Sequence, residues 1–109
     1  MVNLHLSWLI LIVAGVFEAL WVFYLKKSGG FTQFNATILF IITLIISMVL
    51  LSLAMKSLPM SVAYPVWTGI GAIGSVIIGW WIFNETITLP LMISFCFVIV
   101  GIVGIKVFS

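Results

Sequence analysis

The 109-residue chain is 65% hydrophobic and 6% charged, with a mean hydropathy of +1.48. A soluble domain carries about 25% charged residues, so this composition excludes a water-facing globule and makes lipid the main solvent. The net charge of +2 rests on four Lys and two Glu, too sparse for a nucleic-acid footprint.

Apolar runs at about 4–25, 34–55, 61–83 and 89–108 each approach the ~20 residues that a membrane-spanning helix needs. Spanning helices satisfy their own backbone hydrogen bonds, so the pattern predicts an all-α membrane protein with four transmembrane helices in one domain over 1–109. The start is not a secretory signal, because no Lys or Arg precedes the first apolar run and Glu18 interrupts it. Met1 followed by Val2 gives no lipidation motif.

Span one carries Glu18 in an otherwise apolar helix, and no Lys or Arg precedes Lys26 to offset it. A charge at such depth costs roughly 2.5–3.5 kcal/mol on insertion scales and marks a functional site by default. At helical spacing Leu11, Ala14, Gly15, Glu18, Trp21, Val22 and Leu25 share one face. Ala14 and Gly15 are expected to leave space beside the carboxylate, and Trp21 stands one turn beyond it. A carboxylate beside an indole is a seat for an organic cation, since Trp is the strongest cation–π partner. For Trp21 alone, helix packing explains the residue equally well.

The first break, Lys26-Lys27-Ser28-Gly29-Gly30-Phe31-Thr32, places two lysines in a last helical turn and a Gly pair just beyond it. In span two, Ser47 is a hydroxyl at mid-helix, free either to bond its own helix four residues back or to serve the site. Span three follows Lys56-Ser57-Leu58-Pro59 and lines up Tyr64, Trp67, Thr68, Gly71 and Ser75 on one face. Buried Tyr and Trp need acceptors for their O–H and N–H, and Glu18 is expected to accept from either. Gly69-Ile-Gly71-Ala-Ile-Gly74 matches a dinucleotide-binding pattern only literally, because no strand precedes it and no soluble helix follows. In a membrane helix these glycines predict close packing and bending instead.

After Asn84-Glu85-Thr86-Ile87-Thr88, Glu85 reads as a solvated or helix-N-terminal charge. Span four offers Ser94, Gly101 and Gly104 as small residues, which predicts a dimer contact. Lys106 is expected to snorkel to the water boundary. Trp8, Trp80 and Trp81 suit the interfacial aromatic belt. Cys96 has no partner for an intrachain disulfide, and His5 stands without a cluster for metal or nucleophilic catalysis. No enzyme, metal or cofactor signature is present. Positive charges balance, with Lys26 and Lys27 on one side and Lys56 and Lys106 on the other. Such a chain can insert both ways round and pair as an antiparallel dimer.

Three stretches together resemble the small multidrug resistance family of proton-coupled exporters over essentially the whole chain. They are Ala14-Gly-Val-Phe-Glu-Ala-Leu-Trp21, Ser28-Gly-Gly-Phe-Thr32 and Leu58-Pro-Met-Ser-Val-Ala-Tyr-Pro-Val-Trp-Thr-Gly-Ile-Gly71. Trp21, Trp67-Thr-Gly69 and Gly104-Ile-Lys106 look like the guanidinium-exporter subclass. The resemblance implies an antiparallel, dual-topology homodimer in the bacterial inner membrane, held by its fourth helices at Ser94 and Gly101. Two copies of Glu18 would share one site, titrate as a coupled unit, and exchange protons for a guanidinium-like cation. Trp21, Ser47, Tyr64 and Trp67 would support that cation, with Gly15, Pro65, Thr68, Gly69 and Gly71 giving space and gating. The family usually has Ala where this chain has Pro65, which removes a backbone N–H. With Ser61 as helix cap, the disturbance stays in the first full turn and reshapes the entrance at Tyr64. That keeps a polyspecific quaternary ammonium exporter as the alternative. A holin-like protein needs no carboxylate in mid-bilayer, and a channel would not drive substrate uphill on a pH gradient.

Overall fold

The structure is a computed structural model that describes residues 4–109; residues 1–3, including the Met1-Val2 start, lie outside it. Four helices follow one another: α1 (Leu4–Lys27), α2 (Phe34–Ala54), α3 (Met60–Trp81) and α4 (Leu89–Phe108). Each is long and apolar enough to cross a bilayer.

The helix ends follow local chemistry. Lys26 and Lys27 extend α1 into its last turn, two residues beyond the expected end at 25, because cations there complement the helix dipole. The chain then reverses through Gly29 and Gly30 at φ 56° and 72°, a left-handed conformation open to glycine. At the start of α3 the expected cap at Ser61 is not formed. Pro59 occupies the N-cap position instead, and its carbonyl accepts from Val62 and Ala63 at 3.0 and 2.9 Å. α3 stays helical through Pro65 and stops at Trp81, before the expected end at 83. α4 is capped by Thr88, whose hydroxyl accepts from Leu91 N–H at 3.4 Å, with Pro90 in the first turn.

α1 is the hub. Both α2 and α3 pack along it, whereas the α4 backbone approaches only α3. The apolar core lies toward the α2–α3 connection, where Leu11, Ala14, Leu51, Ala54, Val66 and Trp67 meet. Trp8 belongs to that core at 6% exposure rather than to an interfacial belt, while Trp80 and Trp81 are exposed. Lys106 reaches back from α4 to place its ammonium 4.6 Å from the Trp8 ring centre, a cation–π contact that ties the two chain ends. Glu85 is likewise not a lone charge, since its Oε2 accepts from Lys26 Nζ at 2.6 Å across the two connections on that side. Both side chains are about half exposed, so the pair contributes at most about 1 kcal/mol.

Glycines set the helix spacing. A Cβ on Gly15 would lie 2.7 Å from Ile70 of α3, and one on Gly74 would lie 2.7 Å from Ala19 Cβ of α1. Gly69 performs the same service on the other face of α3, where Ile102 of α4 would stand 2.7 Å away. The glycine cluster therefore packs helices on two sides of α3. α4 itself has no buried residue. Gly15→Ala should push α1 from α3 and destabilise the protein by about 1–3 kcal/mol. Thermal or denaturant unfolding in detergent micelles checks this; an unchanged midpoint would contradict the seam.

Candidate functional site

Glu18 sits half-buried on α1 between buried Gly15 and Ala19, facing α3 at Gly71. A Cβ on Gly71 would collide with the Glu18 carboxyl oxygen and carbon, so the missing side chain at 71 is the room the carboxylate occupies. The expected space beside Ala14 and Gly15 is absent: Ala14 is fully buried and Ile70 fills the surface of Gly15. Small residues at those positions serve the approach of α3, and the cradle lies on the opposing helix.

The Glu18 Oε2 atom is buried without a hydrogen-bond partner among the described residues, and so is Nε1 of Trp21, one turn further along α1. A buried acceptor and a buried donor both left open are unusual, because each forfeits hydrogen bonding to water. The Trp21 ring meets Phe40 of α2 edge-to-face at 6.0 Å and 66°.

Ser47 and Trp67 act together, but not on Glu18. Trp67 Nε1 donates to Ser47 Oγ at 2.9 Å, and Ser47 Oγ donates to the Ala14 carbonyl at 2.8 Å. A serine hydroxyl has one proton, and Ala14 takes it. Ser47 is thus bonded across the helices rather than back along its own, and it has no second proton for the carboxylate. The relay α3–α2–α1 fixes the three helices one turn before Glu18. Trp67, expected as a direct donor to Glu18, is committed to that relay.

Tyr64 is 54% exposed, with its ring 5.7 Å from that of Trp67. It borders an apolar recess of about 410 Å³ lined by Leu51, Met55, Met60, Ser61 and Pro65. Thr68 donates to the Tyr64 carbonyl at 2.8 Å within its own helix. The structure therefore gathers Glu18 and Gly71 in one contact and Ser47 and Trp67 in another, with Trp21 one turn along α1 from Glu18. Tyr64 and Pro65 line the recess, Thr68 bonds back within α3, and Gly15 and Gly69 lie in the helix seams. Ser94 and Gly101 lie on the exposed face of α4, where Ser94 donates to the Pro90 carbonyl at 2.9 Å and a Cβ added at Gly101 would meet open space.

Two contributors escaped the sequence reading. The Ala14 carbonyl acts through its backbone, which leaves no trace in residue type. Phe40 is one apolar residue among many in α2, and only the packing of α2 on α1 brings it to Trp21. The Lys26–Glu85 pair did leave a trace, being opposite charges in the two connections on one side of the bundle.

A family model described as Small Multidrug Resistance protein matches residues 6–98. The chain is 43% identical over 104 residues to a protein of Proteus vulgaris named Guanidinium exporter, spanning 95% of this chain and 100% of that one. Proteins with the same name from Salmonella typhimurium and Escherichia coli K12 are 42% and 41% identical over 101 residues, covering 93% of this chain and 96% of theirs.

Because what stands in the way of a Gly71 side chain is the flexible side chain of Glu18, Gly71→Ala should leave the fold intact and displace the Glu18 carboxylate. The expected result is a changed rate of Glu18 modification by a hydrophobic carbodiimide at an unchanged unfolding midpoint. Ser47→Ala should instead lower stability by about 1–3 kcal/mol, because the Trp67 N–H loses its acceptor.

Proposed function

The chain belongs to the Small Multidrug Resistance family, and on that premise we propose that it exports guanidinium or a related small organic cation in exchange for protons. It is a multi-pass inner-membrane protein. The observation that carries the reading is the buried carboxyl oxygen of Glu18, with the buried indole N–H of Trp21 one turn away, both without a partner among the described residues. The names of the relatives support guanidinium as the cation.

A carboxylate inside an apolar bundle is relieved by a proton or by a cation, not by both at once. Competition for one group is enough to couple the two flows. A guanidinium fits the chemistry, because its planar fork pairs with carboxylates and its face stacks on indole. The reading includes an antiparallel homodimer in which two copies of Glu18 face one site. Its support is the balanced distribution of lysines and the uncovered face of α4 around Ser94 and Gly101. Protons on both acids allow the dimer to switch sides; an arriving cation displaces them and is carried out. Two protons exchanged for one monovalent cation move one net charge per cycle, coupling transport to voltage at about 2.3 kcal/mol per 100 mV.

A second reading, export of bulkier quaternary ammonium cations, draws on one feature. The recess bordered by Tyr64 and Pro65 is apolar and open, which suits hydrophobic substituents.

In proteoliposomes with an imposed pH gradient, the intact protein should accumulate guanidinium, and Glu18→Gln should reduce that uptake to background. Proton-driven uptake that survives Glu18→Gln would remove the mechanism. Transport of tetraphenylphosphonium without guanidinium would select the second reading, and a voltage-insensitive cycle would reject the two-for-one exchange. Gly101→Leu should weaken the dimer, read as a shift toward monomer on cross-linking in membranes.

A further inference from the structure

Trp21 has no polar anchor. Its Nε1 is buried without a partner among the described residues, so the orientation of the indole rests on shape alone. The aromatic ring that meets it is Phe40, edge-to-face at 6.0 Å and 66°. Phe40 is in turn met by Phe31, 5.8 Å away and tilted by 51°. A line of three rings thus runs from the first connection, through α2, to the indole one turn beyond Glu18.

The outer ring is held in an unusual backbone. Phe31 has φ 69°, in the left-handed region that bulky residues avoid. Ser28, fully buried at the end of α1, enforces it. The Ser28 hydroxyl donates to the Leu25 carbonyl at 2.6 Å and accepts from Phe31 N–H at 3.2 Å. The Ser28 carbonyl accepts from Thr32 and Gln33 N–H at 2.8 and 3.0 Å. A strained residue persists only where its surroundings over-determine it, and such residues cluster at ligand clamps. Here the strain keeps an aromatic ring at Phe40.

Resting on the reading that Trp21 forms part of the cation's seat, we propose that Phe40 is a positioning residue for substrate. Its ring, backed by Phe31, holds the Trp21 indole in the orientation that a flat cation stacks on. An indole held in advance spares the cation the loss of freedom that ordering it would otherwise require. Removing the Phe40 ring should therefore weaken binding and leave the rate of side-switching alone.

The test is guanidinium transport by the full-length protein in proteoliposomes, combined with fluorine NMR of 5-fluorotryptophan protein in which Trp21→Phe identifies the Trp21 signal. Phe40→Leu keeps an apolar side chain of similar reach and should raise KM about three- to tenfold with the maximal rate little changed. Phe40→Tyr, which restores a ring, should bring KM back toward the original value. Phe31→Gly relieves the left-handed backbone while deleting the outer ring, and should raise KM by a smaller factor, about twofold. In Phe40→Leu the Trp21 fluorine signal should move while those of Trp80 and Trp81 stay. A fixed Trp21 signal, or an unchanged KM in a protein that transports guanidinium, overturns the proposal. So does a fall in maximal rate at constant KM. If Phe40→Leu fails to fold, Phe31→Gly decides by the same two readouts. An intact protein that ignores guanidinium defeats the functional reading instead, and the fluorine signal still decides whether Phe40 orients Trp21.

Discussion

The carboxyl group of Glu18 lies against the α3 backbone at Gly71, where even a methyl group would collide with it. The packing of the neighbouring helices keeps that approach close. Gly15 and Gly74 bring α1 and α3 together on either side of the contact, and Ile70 and Ala19 fill the surfaces they leave. Without water in the bilayer interior, small residues and interhelical hydrogen bonds must hold helices together. The Trp67–Ser47–Ala14 relay supplies such bonds one turn away. Glu18 is thereby set in a packed wall while its Oε2 has no partner among the described residues.

Division of labour among the polar groups is the main chemical lesson. Ser47 and Trp67 are paired with each other and with a carbonyl, so they stiffen the bundle. Glu18 Oε2 and Trp21 Nε1 have no partner among the described residues and lie within one turn on the same helix. Under the transporter reading, Ser47 and Trp67 build the frame while Glu18 and Trp21 await substrate. That separation has a physical basis, because a donor already committed to a strong buried acceptor is expensive to redirect during a transport cycle.

Much of the fold is legible in the residues because the membrane imposes so few options. Four apolar runs become four helices, and their ends move by only a few residues. Lys26 and Lys27 prolong α1, and Pro59 rather than Ser61 opens α3. Glu18 stands out by its cost alone. Partners are harder to read. Gly71 can be recognised as a small residue, but its role as the room for Glu18 depends on the rotation of α3 about its axis. Ser47 offers two equally reasonable bonds, and packing chooses the interhelical one. Trp8 is amphipathic enough for an interface, yet it is covered in the core beneath Lys106. Phe40 carries no signal at all, since a phenylalanine in an apolar helix is unremarked until its neighbour is known.

The sparse attachment of α4 bears on how the chain is made. Its backbone approaches only α3, and none of its residues is buried. The α1–α3 seam at Gly15 and Gly74, the hydrogen-bond relay and the cradle of Glu18 all lie within α1, α2 and α3, whose residues leave the ribosome before those of α4. The contacts among these three helices can therefore form before α4 joins them. α4 is thus the helix on which the internal packing depends least, and it reaches the bilayer with its apolar face still uncommitted.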